Sequence, residues 1–150
     1  MNILGINYLG HDASAALICD GSLVAAIEEE RFHRHRKHYG GVPEQSIRFC
    51  LDAAKVSPGD INHVSYYVSP RSLLEPAGLV SALRPWYSPG AKLVFASRAL
   101  LLAHCLTMRQ RLNRLVPGLR RDVKISLVDH HDAHMASAFF CSPFDEADIM

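Results

Sequence analysis

The sequence predicts an α/β protein built on a mixed sheet, three antiparallel strands followed by α-β crossovers, and three observations carry that expectation. Two turn signals, Gly10-His11-Asp12 and Asp20-Gly21, cut the start of the chain into three short apolar runs. Beyond Pro43, apolar residues recur at helical spacing in two separate stretches. Short strand-like runs lie between and after those stretches, the alternation expected of crossovers returning to one sheet.

Taken in order, NILGINY at residues 2–8 and SAALIC at 14–19 read as strands around the Gly-His-Asp turn. Asp20-Gly21 is a two-residue hairpin signal leading into SLVAAIEEE. Pro43 stands near the first position of a helix in which Ile47, Cys50, Leu51 and Ala54 share a face, ending before Pro58-Gly59. Asp60 opens a strand through HVSYYV. Residues 69–90 hold four prolines and two glycines and read as an irregular excursion. Residues 91–116 form the longest helical stretch, with Leu93, Ala96, Leu100, Ala103 and Met108 in phase and a stop at Pro117-Gly118. VKISLV at 123–128 is a short strand feeding a histidine-bearing helix that Pro143 limits. The closing DEADIM reads as the start of a further strand, hence as part of something longer.

Composition excludes several classes. A chain that is 49% hydrophobic and 21% charged forms a real core and is not disordered. Its net charge of +1 gives no case for wrapping nucleic acid or lying on an anionic membrane. Cys19, Cys50, Cys105 and Cys141 are far apart and set among apolar neighbours, which points to buried free thiols in a reducing cytosol. With no basic n-region and no long apolar span, a cytoplasmic location is expected.

Chemistry concentrates in two places. In LVDHHDAHMASAFF, at residues 127–140, a helix after Asp129 sets His130 and His134 one turn apart, able to aim two imidazoles at one metal ion while His131 faces elsewhere. Two ligands do not close a site. Asp12 is one candidate for a third, and a carboxylate beyond residue 150 is the better one. The plainer alternative is a polar helix start, capped by Asp129, whose histidines hydrogen-bond locally. In GHDASAAL, at residues 10–17, His11 and Asp12 lie in a turn rich in small residues, where a ligand can approach the backbone and His11 can act as a general base. The alternative there is an Asx-type turn with a solvated imidazole. A third stretch, EEERFHRHRKH at 28–38, precedes Gly40-Gly41 and could hold a phosphate or carboxylate, or form a solvated loop. No P-loop, G-x-S-x-G or G-x-G-x-x-G pattern occurs.

The element order resembles the ribonuclease H-like half-domains of the actin, sugar kinase and Hsp70 superfamily. More specifically, NILGINYLGHDASAALICDG, AAIEEERF, KHYGGVP with RFCL, and VDHHDAHMASAFF resemble, in order and spacing, the N-terminal part of the O-carbamoyltransferases of the nodulation and antibiotic-tailoring family. The likeness covers most of residues 2–56 and 123–150 and leaves about 69–122 as a variable insertion. It implies that residues 1–150 are the N-terminal part of a Kae1-like carbamoyltransferase domain, with the rest of that domain and a YrdC-like domain lying elsewhere. It further implies that carbamoyl phosphate and ATP yield carbamoyl adenylate in the YrdC-like part. The carbamoyl group then passes to a hydroxyl of a small-molecule or sugar acceptor in the Kae1-like part. On this resemblance His130 and His134 match ligands of a divalent metal, iron or zinc. His11 matches the histidine facing the acceptor, and Asp12 belongs beside it in the catalytic turn. Ser14, Lys37 and His38 fall on the substrate and phosphate side. A homodimer is compatible with the resemblance; a nucleic-acid or membrane partner is not expected. The segment by itself should not carbamoylate.

Two rival readings share the fold. A TsaD-type threonylcarbamoyl transferase acting on tRNA should open with an E-T-S-C-D-E-T-like first turn, where this chain has NYLGHDAS. A noncatalytic ATPase-fold scaffold would keep the fold and lose the metal.

Overall fold

The computed structural model of the protein describes residues 1–8, 12–33, 41–68, 100 and 102–146. The expectations for the excursion at 69–90, the helix start at 91–99 and a strand at the closing residues lie outside them. By internal packing the chain divides into two units, Met1–Tyr66 with Thr107–Ser126, and Tyr67–Leu106 with Leu127–Met150.

The first unit is organised by the expected meander. Strands β1 (Asn2–Asn7), β2 (Ser14–Cys19) and β3 (Ser22–Glu28) pair antiparallel, β1 with β2 in a register running from Asn2↔Cys19 to Asn7↔Ser14. Alternation decides which face is inside: Leu4, Ile6, Ala15 and Leu17 are buried, and their sequence neighbours are less so. The β2–β3 connection uses Asp20 at φ 50° and Gly21 at φ 84°, the paired left-handed conformations of a two-residue hairpin that matches strand twist. A Cβ placed on Gly21 would meet nothing within 4 Å, so only the backbone opposes a side chain there. We therefore expect Gly21→Val to lower unfolding free energy by about 1–2 kcal/mol, measured by urea titration, with no change in the slope.

Helix α1 (Glu44–Ala54) packs its Ile47, Cys50 and Leu51 face on β2 and β3. The Cys50 thiol donates to the carbonyls of Ala15, at 3.5 Å, and Ala25, at 3.8 Å, and burial pushes its pKa up to about 11. At pH 8 the exposed Cys141 should therefore react with a thiol reagent well before Cys50, which should become reactive only in denaturant; mass mapping of labelled peptides measures this. The expectation of buried thiols is met by Cys50 and Cys105 but not by exposed Cys141 or half-buried Cys19. Pro43 offers no side-chain cap to α1, and the cap comes from elsewhere in the chain. The Glu29 carboxylate accepts from the backbone amides of Gln45, at 3.2 Å, and Ser46, at 2.8 Å, and from the Ser46 hydroxyl, at 2.8 Å. A buried acid thus satisfies amides that every helix start leaves open.

After α1 the chain departs from the sequence expectation. Asp60 does not open a strand. It closes a short 3-10 turn, Pro58–Asp60, in a capping box where its carboxylate accepts from the Ser57 amide, at 2.9 Å, and hydroxyl, at 2.6 Å. These bonds also hold its carboxyl below the usual aspartate range. Strand β4 (His63–Tyr66) follows, parallel to β1 from Ile3↔His63 to Ile6↔Tyr66. The Tyr66 hydroxyl donates to the Tyr8 carbonyl at 2.9 Å in the core.

The second helical stretch also differs from expectation. Residues 102–106 are helical and α2 (Met108–Leu115) continues beyond, but Thr107 between them sits at φ −96°, ψ 5°. That residue does not reset the phase, since buried His104 lies four positions before buried Met108. Leu100 and Ala103, expected on the buried stripe, are exposed, whereas Met108, Leu112 and Val116 are buried at a spacing of four. Arg109 ties α2 to the following turn by donating to the carbonyls of Arg121, at 2.7 Å, and Val123, at 2.8 Å. Strand β5 (Lys124–Leu127) then completes a five-stranded sheet of order β3-β2-β1-β4-β5. The protein is thus an α/β protein on a mixed sheet, as the element order predicts. Helix α3 (His130–Phe140) follows β5 and stops before Pro143. Among the described residues no helix is long and apolar enough to cross a membrane.

Candidate metal centre

Helix α3 is started by Asp129. Its extended backbone, at φ −62° and ψ 146°, precedes the first turn, and its carboxylate accepts from the His131 amide at 2.9 Å. That cap fixes His130 as the first helical residue, and His134 comes one turn later on the same face. Their Nε2 atoms stand 3.2 Å apart, with ring centroids at 4.5 Å and planes at 87°.

Two explanations compete for that approach. A neutral imidazole can donate to its neighbour, an ordinary local bond. Alternatively, two nitrogens each bound at about 2.0–2.1 Å to one cation, at cis or tetrahedral angles, lie about 2.9–3.4 Å from each other. The observed separation falls inside that range, so the pair fits a metal as two of its ligands. Both histidines are exposed and so accessible to an ion. Among the described residues no group of three His, Cys, Asp or Glu side chains converges, so any further ligand is not found among them.

Tyr67, which directly follows β4, sets its ring against His130 at 5.4 Å between centroids and 59° between planes. Burial pushes its phenol above the usual range. His131 meets His130 only by ring edge, at 5.7 Å, as expected of a residue on another face. A cavity of about 1080 Å³ in this unit is lined by Asp132, Met135, Phe139, Phe140 and Phe144 among others, and neither histidine of the pair lines it.

The other expected site residues fare differently. His11, Lys37 and His38 lie outside the described residues. Asp12, in the first unit, adopts φ 59°, a left-handed conformation uncommon for a residue with a side chain, and its carbonyl accepts from Asn7 Nδ2 at 2.9 Å. Such local strain held by hydrogen bonds is frequent at functional turns. Ser14 opens β2, paired with Asn7 on one side and Glu28 on the other. The described part of the charged stretch is occupied with structure: Arg31 pairs with Glu28 at 3.3 Å, and His33 lies 3.6 Å from the Glu29 carboxylate. Sequence reasoning missed Glu29 as a helix cap and Tyr67 as a neighbour of His130. For Tyr67 a signal existed in the consecutive tyrosines at the end of the fourth strand, whose alternation sends one inward and frees the other.

The described residues thus comprise a mixed α/β sheet and a capped helix with two imidazoles converging at its start. Residues 2–78 match the carbamoyltransferase N-terminus family, and the chain belongs to that family. It is 36% identical over 147 residues to nodulation protein NolNO of Sinorhizobium fredii, an overlap of 96% of this chain and 19% of that protein. An uncharacterized protein of Synechocystis is 35% identical over 154 residues, covering 99% of this chain and 25% of its own length. A Methanocaldococcus jannaschii protein, also uncharacterized, is 45% identical over 56 residues, 37% of this chain and 10% of that one. The chain spans a quarter or less of these relatives' lengths.

Proposed function

We propose that this chain is the N-terminal part of a carbamoyltransferase domain of ribonuclease H-like type, which transfers a carbamoyl group from carbamoyl adenylate to the hydroxyl of a small-molecule or sugar acceptor. Carbamoyl adenylate would be made from carbamoyl phosphate and ATP in a YrdC-like domain. Family membership and the three-stranded meander continued by a strand parallel to β1 support the reading. The observation that carries it is the 3.2 Å approach of the His130 and His134 nitrogens in a chain of this family.

On this reading His130 and His134 hold the divalent metal, iron or zinc. A bound cation would supply positive charge near the phosphate and the oxygen that gains charge during transfer. His11 orients the acceptor and takes its hydroxyl proton as the acceptor oxygen bonds to the carbamoyl carbon. The bond from that carbon to the phosphate oxygen breaks, and AMP leaves. Asp12 holds the turn that presents His11, and Ser14, Lys37 and His38 offer donors on the phosphate side. On this reading the protein acts in the cytoplasm, without nucleic acid or membrane, and a homodimer is compatible with it.

The test is release of AMP from pre-formed carbamoyl adenylate by the full protein, with and without sugars and other alcohols. Alcohol-dependent release at least tenfold above hydrolysis, reduced about 100-fold by His11→Ala, is expected. Equal release with and without every alcohol, or an unaffected His11→Ala variant, overturns the assignment.

A further inference from the structure

The approach of His130 to His134 has to be explained, because neither ring is held by the core: both side chains are exposed and each has two torsions free to turn. Asp129 fixes where the helix begins, but its carboxylate bonds a backbone amide and so does not restrain the imidazole. His131 offers only an edge at 5.7 Å, on the next position along the helix. Among the described residues one further aromatic ring lies against His130, that of half-buried Tyr67, at 5.4 Å between centroids and 59° between planes. The His130 ring is thus flanked by Tyr67 and by His134, whose centroid is 4.5 Å away. Tilted rings at such distances attract through their quadrupoles and resist rotation of the smaller one.

We propose that Tyr67 is a positioning residue of the metal site: its ring packs on His130 and holds the imidazole in the orientation that turns Nε2 toward His134. The inference rests on the reading of His130 and His134 as metal ligands. Outer partners of a ligating histidine act by fixing its ring before the ion arrives, and their loss commonly weakens affinity 10–100-fold. Tyr67 is not itself a ligand in this proposal. Its contribution is made by the ring face, so phenylalanine should replace it and an aliphatic side chain should not.

The experiment measures Zn²⁺ affinity of the protein by competition with a chromophoric chelator, and the visible spectrum of its Co²⁺ form. The variants are Tyr67→Phe, Tyr67→Leu, His130→Ala and His134→Ala, each checked for unchanged thermal unfolding. In the metal-free proteins, the ring ¹H shifts of His130 are recorded alongside. Tyr67→Phe is expected within about twofold of wild type, with the same cobalt bands. Tyr67→Leu is expected to bind about tenfold more weakly, with altered bands and a His130 ring that loses the shift imposed by its neighbour. If Tyr67→Leu binds zinc like wild type while both histidine variants lose it, Tyr67 has no positioning role and the metal reading stands. If wild type binds no better than His130→Ala and His134→Ala, the metal reading falls and this inference falls with it.

Discussion

Replacing His134 by alanine is expected to reduce zinc or iron affinity by at least about 100-fold, and carbamoyl transfer by the full protein with it. His130 and His134 present two nitrogens 3.2 Å apart, and the variant leaves one exposed imidazole, which binds a divalent ion no better than any surface histidine. The helix itself should survive. Alanine favours the helical state, His134 is exposed, and the cap on α3 is made by Asp129 and the His131 amide. His131→Ala is the internal control, because that ring meets His130 only edge-on, at 5.7 Å, and adds no nitrogen to the pair, so its loss should leave metal content unchanged. Metal content after gel filtration, measured by mass spectrometry alongside a circular dichroism melt, separates lost ligation from lost folding. Equal metal in wild type and His134→Ala would return the histidine pair to an ordinary helix-start hydrogen bond.

The second large effect concerns stability. Glu29→Ala should lower the unfolding free energy by about 3 kcal/mol, equivalent to roughly 6–12 °C in melting temperature for a domain of this size. Glu29 is 3% exposed and its carboxylate answers two backbone amides and a hydroxyl at the start of α1. Truncation removes the acceptor and strands those donors where solvent access is limited; Ser46 is fully buried. Glu29→Gln keeps one acceptor oxygen in place and should cost less, about half as much, since a neutral acceptor bonds more weakly than a carboxylate. Chemical denaturation of the three proteins tests this order. An alanine variant as stable as wild type would mean that α1 finds another cap and that Glu29 is incidental.

What the amino-acid sequence determined alone is what short-range rules govern. Asp20-Gly21 specifies its hairpin because left-handed backbone at both positions is a demand those residues satisfy locally. Asp129 starts α3, and the pairing of His130 with His134 follows from helical spacing of four, so both were legible along with the family motifs around them. The three antiparallel strands were legible for the same reason, as alternation and turn chemistry need no distant partner. Over the described part of 91–116 the buried face was legible only in part: Met108 is buried as expected, but Leu100 and Ala103 are exposed, because the stripe that packs is His104, Met108, Leu112 and Val116, one every four residues. Only tertiary structure decided that Glu29 caps α1, that β4 lies beside β1, and that Tyr67 packs on His130. Periodicity records which face of an element is buried and says nothing of what lies opposite. These contacts join residues far apart in the chain, and which of many compatible partners meets each face is settled only when the whole sheet and its helices compete for the same buried surface.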